Sequence, residues 1–326
     1  MKILVTGAAG MIGSNLCGQL LREGFEVIGI DNYWRGSIDN LKYTCGNSFH
    51  KLTIIEDDLS KIGQWSDSFK GLDCVIHLAD IVAGIGYVFC NQGMIFRKNL
   101  LINSNVSTVV AENNVGRYIY VGTACSFPTQ LQSGVDSPPL KEIDQFPANP
   151  ESAYGWSKLM GELDAGYLWQ DNSIPSVVLV LHNVYGTPCD YKSSRAQVLP
   201  ALAYRALNLN HNESLVVWGD GSQGRAFVHV SDVCNALITA LTKGDGAGVI
   251  QIGTDICTPI KSVVSAIVNI VDPEIKVEFD TSKPMGDMGR CADFSKAKLI
   301  LNWAPKMSLT QGLHELINWI SIESNK

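Results

Sequence analysis

Three glycines at three-residue spacing, in Gly7-Ala8-Ala9-Gly10-Met11-Ile12-Gly13, separate an apolar triplet, Ile3-Leu4-Val5, from an apolar-periodic run between Ile12 and Leu21. The triplet reads as a short buried strand and the run as a helix. A strand that enters a helix through such a turn leaves few options. Gly7 makes the tight turn, Gly10 lets a pyrophosphate approach the main chain, and Gly13 lets helix and strand pack closely. The helix start, with Met11 and Ile12, then offers free N–H groups and a positive dipole end to an anion.

The rest of the chain continues that pattern. Glu26 to Ile30, Leu52 to Ile55, Cys74 to Ile76, Tyr118 to Val121 and Val177 to Leu181 read as further strands. Helical stretches lie between them, including residues 91–114 and 154–170. Continuous apolar strands alternating with helices indicate a parallel sheet covered on both faces. Right-handed crossovers then give an α/β fold with a doubly wound parallel sheet. After residue 182 the rhythm changes to helices separated by turn clusters such as Trp218-Gly219-Asp220-Gly221-Ser222. Residues 1–182 are therefore expected to hold a dinucleotide. Residues 183–326 are expected to form a smaller lobe over the C-terminal ends of the strands, for the substrate. Phe227 to Val230 and Val249 to Ile252 are candidates to return to the large sheet.

Asp31 closes the second strand, where a carboxylate accepts hydrogen bonds from adenosine ribose hydroxyls and repels a 2′-phosphate. The expected cofactor is NAD. Asn32 adjoins it, and Arg35 would soften the preference. Asp58, in Asp57-Asp58-Leu59 after the third strand, is a candidate for the adenine amino group, although two acids there also suit a solvated turn.

Tyr154-Gly155-Trp156-Ser157-Lys158 has Y-x-x-x-K spacing, which on a helix sets both side chains on one face. An ammonium beside a phenol favours the phenolate and lowers the tyrosine pKa towards neutral. Such a group takes a proton from an alcohol as hydride leaves the same carbon. Thr123, after the fifth strand, is placed to orient the alcohol oxygen.

Composition removes several classes. With 46% hydrophobic and 17% charged residues the chain is not disordered. A net charge of -7 without a Lys/Arg run argues against nucleic acid as a partner. Nine scattered cysteines without C-x-x-C argue against a disulfide framework and for a reducing compartment. A strand directly after Met1-Lys2 leaves no room for a signal peptide, and no apolar run reaches membrane length. A cytoplasmic location without membrane contact is expected. His50, His77, His182, His211, His229 and His314 show no ligand spacing, so no metal is expected, and His77 and His229 read as packed residues.

Together, Gly7 to Gly13, His77-Leu78-Ala79, Thr123-Ala124-Cys125, Tyr154 to Lys158, Asn183-Val184-Tyr185-Gly186 and Trp218 to Gly221 leading to Arg225 resemble the extended short-chain dehydrogenase/reductase family, in family order. The resemblance implies a Rossmann domain for NAD lined also by Leu59, Leu78 and Ala79, catalysis by Thr123, Tyr154 and Lys158, and a nucleotide-diphosphate sugar as substrate. It also implies a homodimer through the helices near 91–114 and 154–170. Asp80 stands where the family has alanine.

Ala83 to Gly86, Thr123 to Pro128, His182 to Gly186 and Tyr191-Lys192-Ser193-Ser194-Arg195 resemble the GDP-mannose 3,5-epimerase branch. That branch uses a cysteine and a lysine as an acid/base pair, and Cys125 and Lys192 match those positions. A transient ketone at C4 makes the hydrogens on C3 and C5 acidic. Cys125 as base and Lys192 as acid from the opposite ring face would then invert a centre, each contributing about 10²–10⁴-fold. Cys125 lies two positions after Thr123, so along an extended segment both side chains would face one side; taken alone, Cys125 would read as a small buried hydrophobe. Arg225 and Arg290 resemble arginines that hold the substrate diphosphate, and Gly86 and Asn183 resemble substrate contacts; a GDP-sugar is favoured. The alternatives are a C4 oxidoreductase or 4-epimerase that does not use Cys125 and Lys192, and a non-catalytic NAD-sensing regulator.

Overall fold

The computed structural model describes residues 1–210, 213–283 and 286–326; His211, among the histidines considered above, lies outside them. The first half runs β1 (Lys2–Thr6), α1 (Met11–Arg22), β2 (Glu26–Asp31), α2 (Ile38–Cys45), β3 (Thr53–Glu56), β4 (Cys74–His77), α3 (Ile85–Cys90), α4 (Gln92–Glu112), β5 (Tyr118–Thr123), α5 (Ala153–Asn172) and β6 (Ser176–Leu181). The strands and the two long helices fall within a residue or two of the positions read from sequence. The second half runs β7 (Asn183–Tyr185), α6 (Val198–Leu207), β8 (Ser214–Trp218), β9 (Gly224–Arg225), β10 (Phe227–His229), α7 (Val230–Thr239), β11 (Val249–Ile252), β12 (Thr258–Pro259), α8 (Ile260–Val271), β13 (Lys276–Asp280), β14 (Gly289–Arg290), α9 (Ser295–Leu301) and α10 (Leu309–Ser324).

Seven parallel strands form the main sheet in the order β11-β6-β5-β4-β1-β2-β3. Alternate side chains go to opposite faces. Ile3 and Val5 pack with Leu16, Leu20, Val233 and Leu237 of α1 and α7, whereas Leu4 packs with Ile102, Val106 and Val109 of α4 and Ala165 and Leu168 of α5. Burial on both faces explains why the strands read as unbroken apolar runs.

Of the two segments expected to return to the large sheet, Val249–Ile252 does so, as the edge strand beside β6. Phe227–His229 does not; it pairs in parallel with Asn183–Tyr185 in a separate two-stranded sheet. The edge beside β6 is taken by β11, and β10 leads directly into α7, whose cap His229 accepts from the Ser231 N–H. The smaller lobe has its own core, in which Leu199, Leu202 and Ala203 meet Val263, Ile267, Leu313 and Ile317. Among the described residues no helix is long and apolar enough to cross a membrane.

Candidate active site

The strand order reverses between β1 and β4, which opens a crevice at the carboxyl ends of the strands. A cleft of about 960 Å³ runs there from the glycine turn to Arg290. It is lined by every site residue named above except Lys192.

At the cofactor end the turn is made by main chain. Gly7 has φ +68°, a left-handed conformation, and the Gly7 and Ala8 N–H groups both donate to the Ile30 carbonyl at 2.8 and 3.2 Å. A Cβ on Gly13 would stand 2.1 Å from the Gly7 carbonyl oxygen, so α1 seats directly on the turn. At Gly10 it would meet only that oxygen, at 3.4 Å, which leaves the main chain open to the cleft. Asp31 braces the turn: Oδ2 accepts the Ala9 N–H at 2.8 Å and Oδ1 the Tyr33 N–H at 2.7 Å. Burial holds its carboxyl above the usual range, against the backbone N–H groups of Ala9, Tyr33 and Asn32. Each oxygen keeps a lone pair for a ribose hydroxyl. Asn32 Oδ1 accepts the Trp34 N–H at 3.0 Å.

These residues fit a dinucleotide. The open main chain at Gly10 and the α1 N-terminus would take the pyrophosphate, and Asp31 a ribose. Asp58 is held by Ser60, whose N–H it accepts at 2.9 Å, and by Lys98 at 3.6 Å. Burial pushes the Asp58 carboxyl up, but Ser60 and Lys98 outweigh this and leave it below the carboxylate range.

Arg35 departs from expectation. It lines the cleft, but its Nη1 donates to the Val82 carbonyl at 3.1 Å, and its guanidinium faces Asp190 and Asp80. Burial lowers it from its ordinary value. This tie across the cleft takes it out of any contest with Asp31 over a ribose. The neighbouring Trp34 is held as well. Arg195 lies 4.9 Å over its ring and donates to its carbonyl, and Trp34 meets Tyr87 edge-on at 5.9 Å. A strap of residues 32–36 thus ties the cofactor side to two loops of the sugar side.

Thr123 and Cys125 both line the cleft, but not along an extended segment. The strand breaks at Thr123 into a single turn over Ala124–Ser126. Thr123 Oγ1 accepts the Cys125 N–H at 3.3 Å, and the Ser126 hydroxyl donates to the Thr123 carbonyl at 2.7 Å. Such local side-chain bonds compete with a strand ladder and end it.

On α5, capped by Ser152 accepting the Gly155 N–H, Tyr154 and Lys158 share a face as expected. Their electrostatics do not match expectation. Lys158 Nζ lies 3.3 Å from Asp80 Oδ2 and 4.5 Å over the Tyr120 ring, and the Tyr154 hydroxyl donates to Asp80 Oδ2 at 3.3 Å. Tyr154 is held well above its ordinary value, first by burial, then by Asp80 and Cys125. The lysine charge that would favour a phenolate is met by the Asp80 carboxylate. His77 is packed: it bonds Thr6 at 2.7 Å and Asn103 at 3.1 Å, and burial pulls it down to about 3.

At the sugar end, Arg225 Nη1 donates to the Asp287 carbonyl at 2.6 Å, and burial pulls it down to about 10. Arg290 Nη1 meets Asp287 Oδ2 at 3.1 Å, and its Nε is buried without a hydrogen-bond partner among the described residues. Burial works to lower Arg290, but Cys125, Asp287 and Glu151 outweigh it and leave the guanidinium above its ordinary value. Asn183 opens β7 on the cleft wall, and Gly86 faces the Trp218 ring, 3.6 Å from where a Cβ would stand.

Lys192 is not brought to this site. Its side chain is exposed, with Nζ 5.4 Å over the Tyr191 ring and 5.6 Å over Tyr204. Tyr191 packs on Tyr204 and Trp319, and this aromatic cluster draws the ammonium to the outer face of its loop.

Residues the sequence reading missed include Glu151, Asp287, Trp34 and Gly36, and the part played by Asp80. Glu151 lines the cleft beside Arg225, Arg290 and Asp287, and burial raises its carboxyl above the usual range. A Cβ on Gly36 would stand 2.3 Å from the Ala9 carbonyl, so it pins the strap to the glycine turn. The departure at Asp80 was the one visible signal; the others meet across long chain separations.

The model of the NAD dependent epimerase/dehydratase family matches residues 3–253. GDP-mannose 3,5-epimerase 1 of Oryza sativa subsp. japonica is 30% identical over 329 residues, covering 100% of this chain and 83% of the relative. The structure of UDP-glucose 4-epimerase from Thermotoga maritima with UDP-glucose superposes with a TM-score of 0.88 at 26% identity, over 100% of this chain and 99% of that one. The structure of UDP-glucuronic acid 4-epimerase from Bacillus cereus with UDP-glucuronic acid and NAD gives 0.84 at 27% identity, over 99% and 100%.

Proposed function

The chain belongs to the NAD-dependent epimerase/dehydratase family, and on that premise we propose that it epimerises a nucleotide sugar at C3, C5 or both through a transient C4 ketone, with GDP-mannose or a related GDP-hexose or heptose as substrate. The observation that carries this reading is Cys125. It lies in one cleft with Thr123, Tyr154 and Lys158, beside the buried Arg290 guanidinium.

When bound, NAD supplies the hydride acceptor and donor at C4. Thr123 orients the C4 hydroxyl and Tyr154 takes its proton. Cys125 then takes the proton made acidic by the ketone, and with the Lys192 ammonium outside the cleft a water on the opposite ring face returns a proton to the carbon and inverts it. Arg225 and Arg290 hold the diphosphate, Gly86 and Asn183 contact the sugar, and Glu151 is the further titratable group at that end. Residues 1–182 hold the cofactor and bring Gly86, Thr123, Cys125, Glu151 and Tyr154 to the sugar, and residues 183–326 supply the rest of the nucleotide-sugar site. Exposed Leu101 on α4 and Trp156, Leu163, Tyr167 and Trp169 on α5 support pairing of two copies through these helices. The nine free cysteines suit the cytoplasm.

Incubation with GDP-mannose in deuterated water, followed by NMR, tests the reading. Loss of C3 or C5 proton signals with new hexose isomers is expected. Unchanged signals at both carbons would overturn it. A second reading, 4-epimerisation, gains weight from the placement of Lys192 outside the cleft. It predicts inversion at C4 without solvent exchange, with UDP-glucose as the comparison substrate.

A further inference from the structure

Asp80 is the buried acid that the catalytic scheme leaves without a task. It follows β4 and lines the cleft, and its side chain is 9% exposed. One oxygen, Oδ2, serves two partners on α5: the Tyr154 hydroxyl at 3.3 Å and Lys158 Nζ at 3.3 Å. Tyr120 faces it from β5 and Arg35 from the strap. Beyond Lys158 stand His77, on β4, and Glu162, on α5. The carboxylate thus sits between a phenol that must give up and regain a proton and an ammonium that would otherwise stabilise the phenolate.

We propose that Asp80 is the proton store of the oxidation step, taking the phenolic proton of Tyr154 as Tyr154 takes the hydroxyl proton of the substrate, and returning it on re-reduction. The proposal rests on the C4 oxidation described above. The sugar O–H bond breaks as one forms at Tyr154 Oη, and the Tyr154 O–H bond breaks as one forms at Asp80 Oδ2. The hydrogen on C4 leaves with its electron pair to the nicotinamide, so the carboxylate becomes a carboxylic acid and no other acid or base is consumed. The reverse steps restore every group. Tyr154 is never a free phenolate in this cycle, in keeping with its position well above the ordinary tyrosine value. Asp80 acts through Tyr154 rather than on the sugar, so its signature is a pH profile.

The test is the titration of Tyr154 in the NAD-bound protein, followed by NMR of ring-labelled tyrosine and assigned with Tyr154→Phe. In the wild type the phenol should resist ionisation beyond the ordinary tyrosine range. In Asp80→Asn, which keeps the volume and removes the charge, it should ionise about 1–3 units lower, as expected for an uncovered cation beside a phenol. The acid limb of the pH profile for enzyme-bound NADH formation should move the opposite way, to higher pH, because without the carboxylate the reaction must wait for the Tyr154 phenolate, and Asp80→Glu should restore both. If Asp80→Asn fails to fold, Asp80→Ala carries the comparison, because it removes the same carboxylate. An acid limb that moves to lower pH together with the phenol would reduce Asp80 to a counter-ion of Lys158, and identical titrations and profiles in wild type and Asp80→Asn would overturn the proposal. The titration needs no sugar, so its failure is separable from a failure of C3/C5 exchange.

Discussion

The two ends of the cleft are built from different materials. At the cofactor end the binding surface is main chain: a left-handed Gly7, an open Gly10, and a helix start seated on the turn through Gly13. At the sugar end it is side chain: Cys125, Glu151, Asn183, Arg225 and Arg290 arrive from five separate segments, and Asp287 holds the two arginines. Main-chain donors stay in place whichever residues surround them, provided no Cβ intrudes. Side-chain donors change with every substitution. The first end therefore depends on where a Cβ is absent, and the second on which side chains are present.

The largest test of that contrast is chemical. Cys125→Ser should lower C3/C5 exchange by about 10²–10⁴-fold, the usual worth of a positioned base, while NADH formation on the enzyme continues at near wild-type rate. Loss of both in parallel would mean that Cys125 is structural, and the two ends would not be separable. Gly13→Ala is the converse. The added methyl, 2.1 Å from the Gly7 oxygen, should cost about 1–3 kcal/mol of stability through overpacking. It should weaken NAD binding at least tenfold, read by calorimetry, with nucleotide-sugar binding little changed. The smallest effect is expected from Lys192→Ala. With its ammonium outside the cleft, exchange should stay within about twofold of wild type, in line with ordinary surface substitutions. A hundredfold loss would show that the 187–196 loop rearranges to bring Lys192 in.

The same contrast governs what the sequence reveals. The glycine turn is legible because three residues lacking a Cβ at fixed spacing report a backbone requirement directly. Tyr154 and Lys158 are legible in position, since helical spacing sets them on one face, but not in charge state. That is decided by Asp80, which meets them across a separation of 74 residues from Tyr154. Cys125 was placed at the site while its local geometry was misread, because the Thr123 and Ser126 side-chain bonds that end the strand leave no periodic trace. Lys192 was misplaced for a related reason. Its ammonium lies over Tyr191 and Tyr204, and Trp319 packs against Tyr191, so its placement depends on rings from three parts of the chain. Phe227–His229 kept an apolar strand pattern yet joined a different sheet, since pattern sets burial and not the choice of neighbour.

The edge strand β11 has an evolutionary consequence. Val249–Ile252 comes from the second half of the chain and completes the sheet of the first half, while α7 covers one of its faces. A fragment ending at residue 182 would leave the β6 edge open and strip the apolar face that Val233 and Leu237 cover, an invitation to aggregate. The two halves therefore cannot be inherited, expressed or shuffled as cassettes.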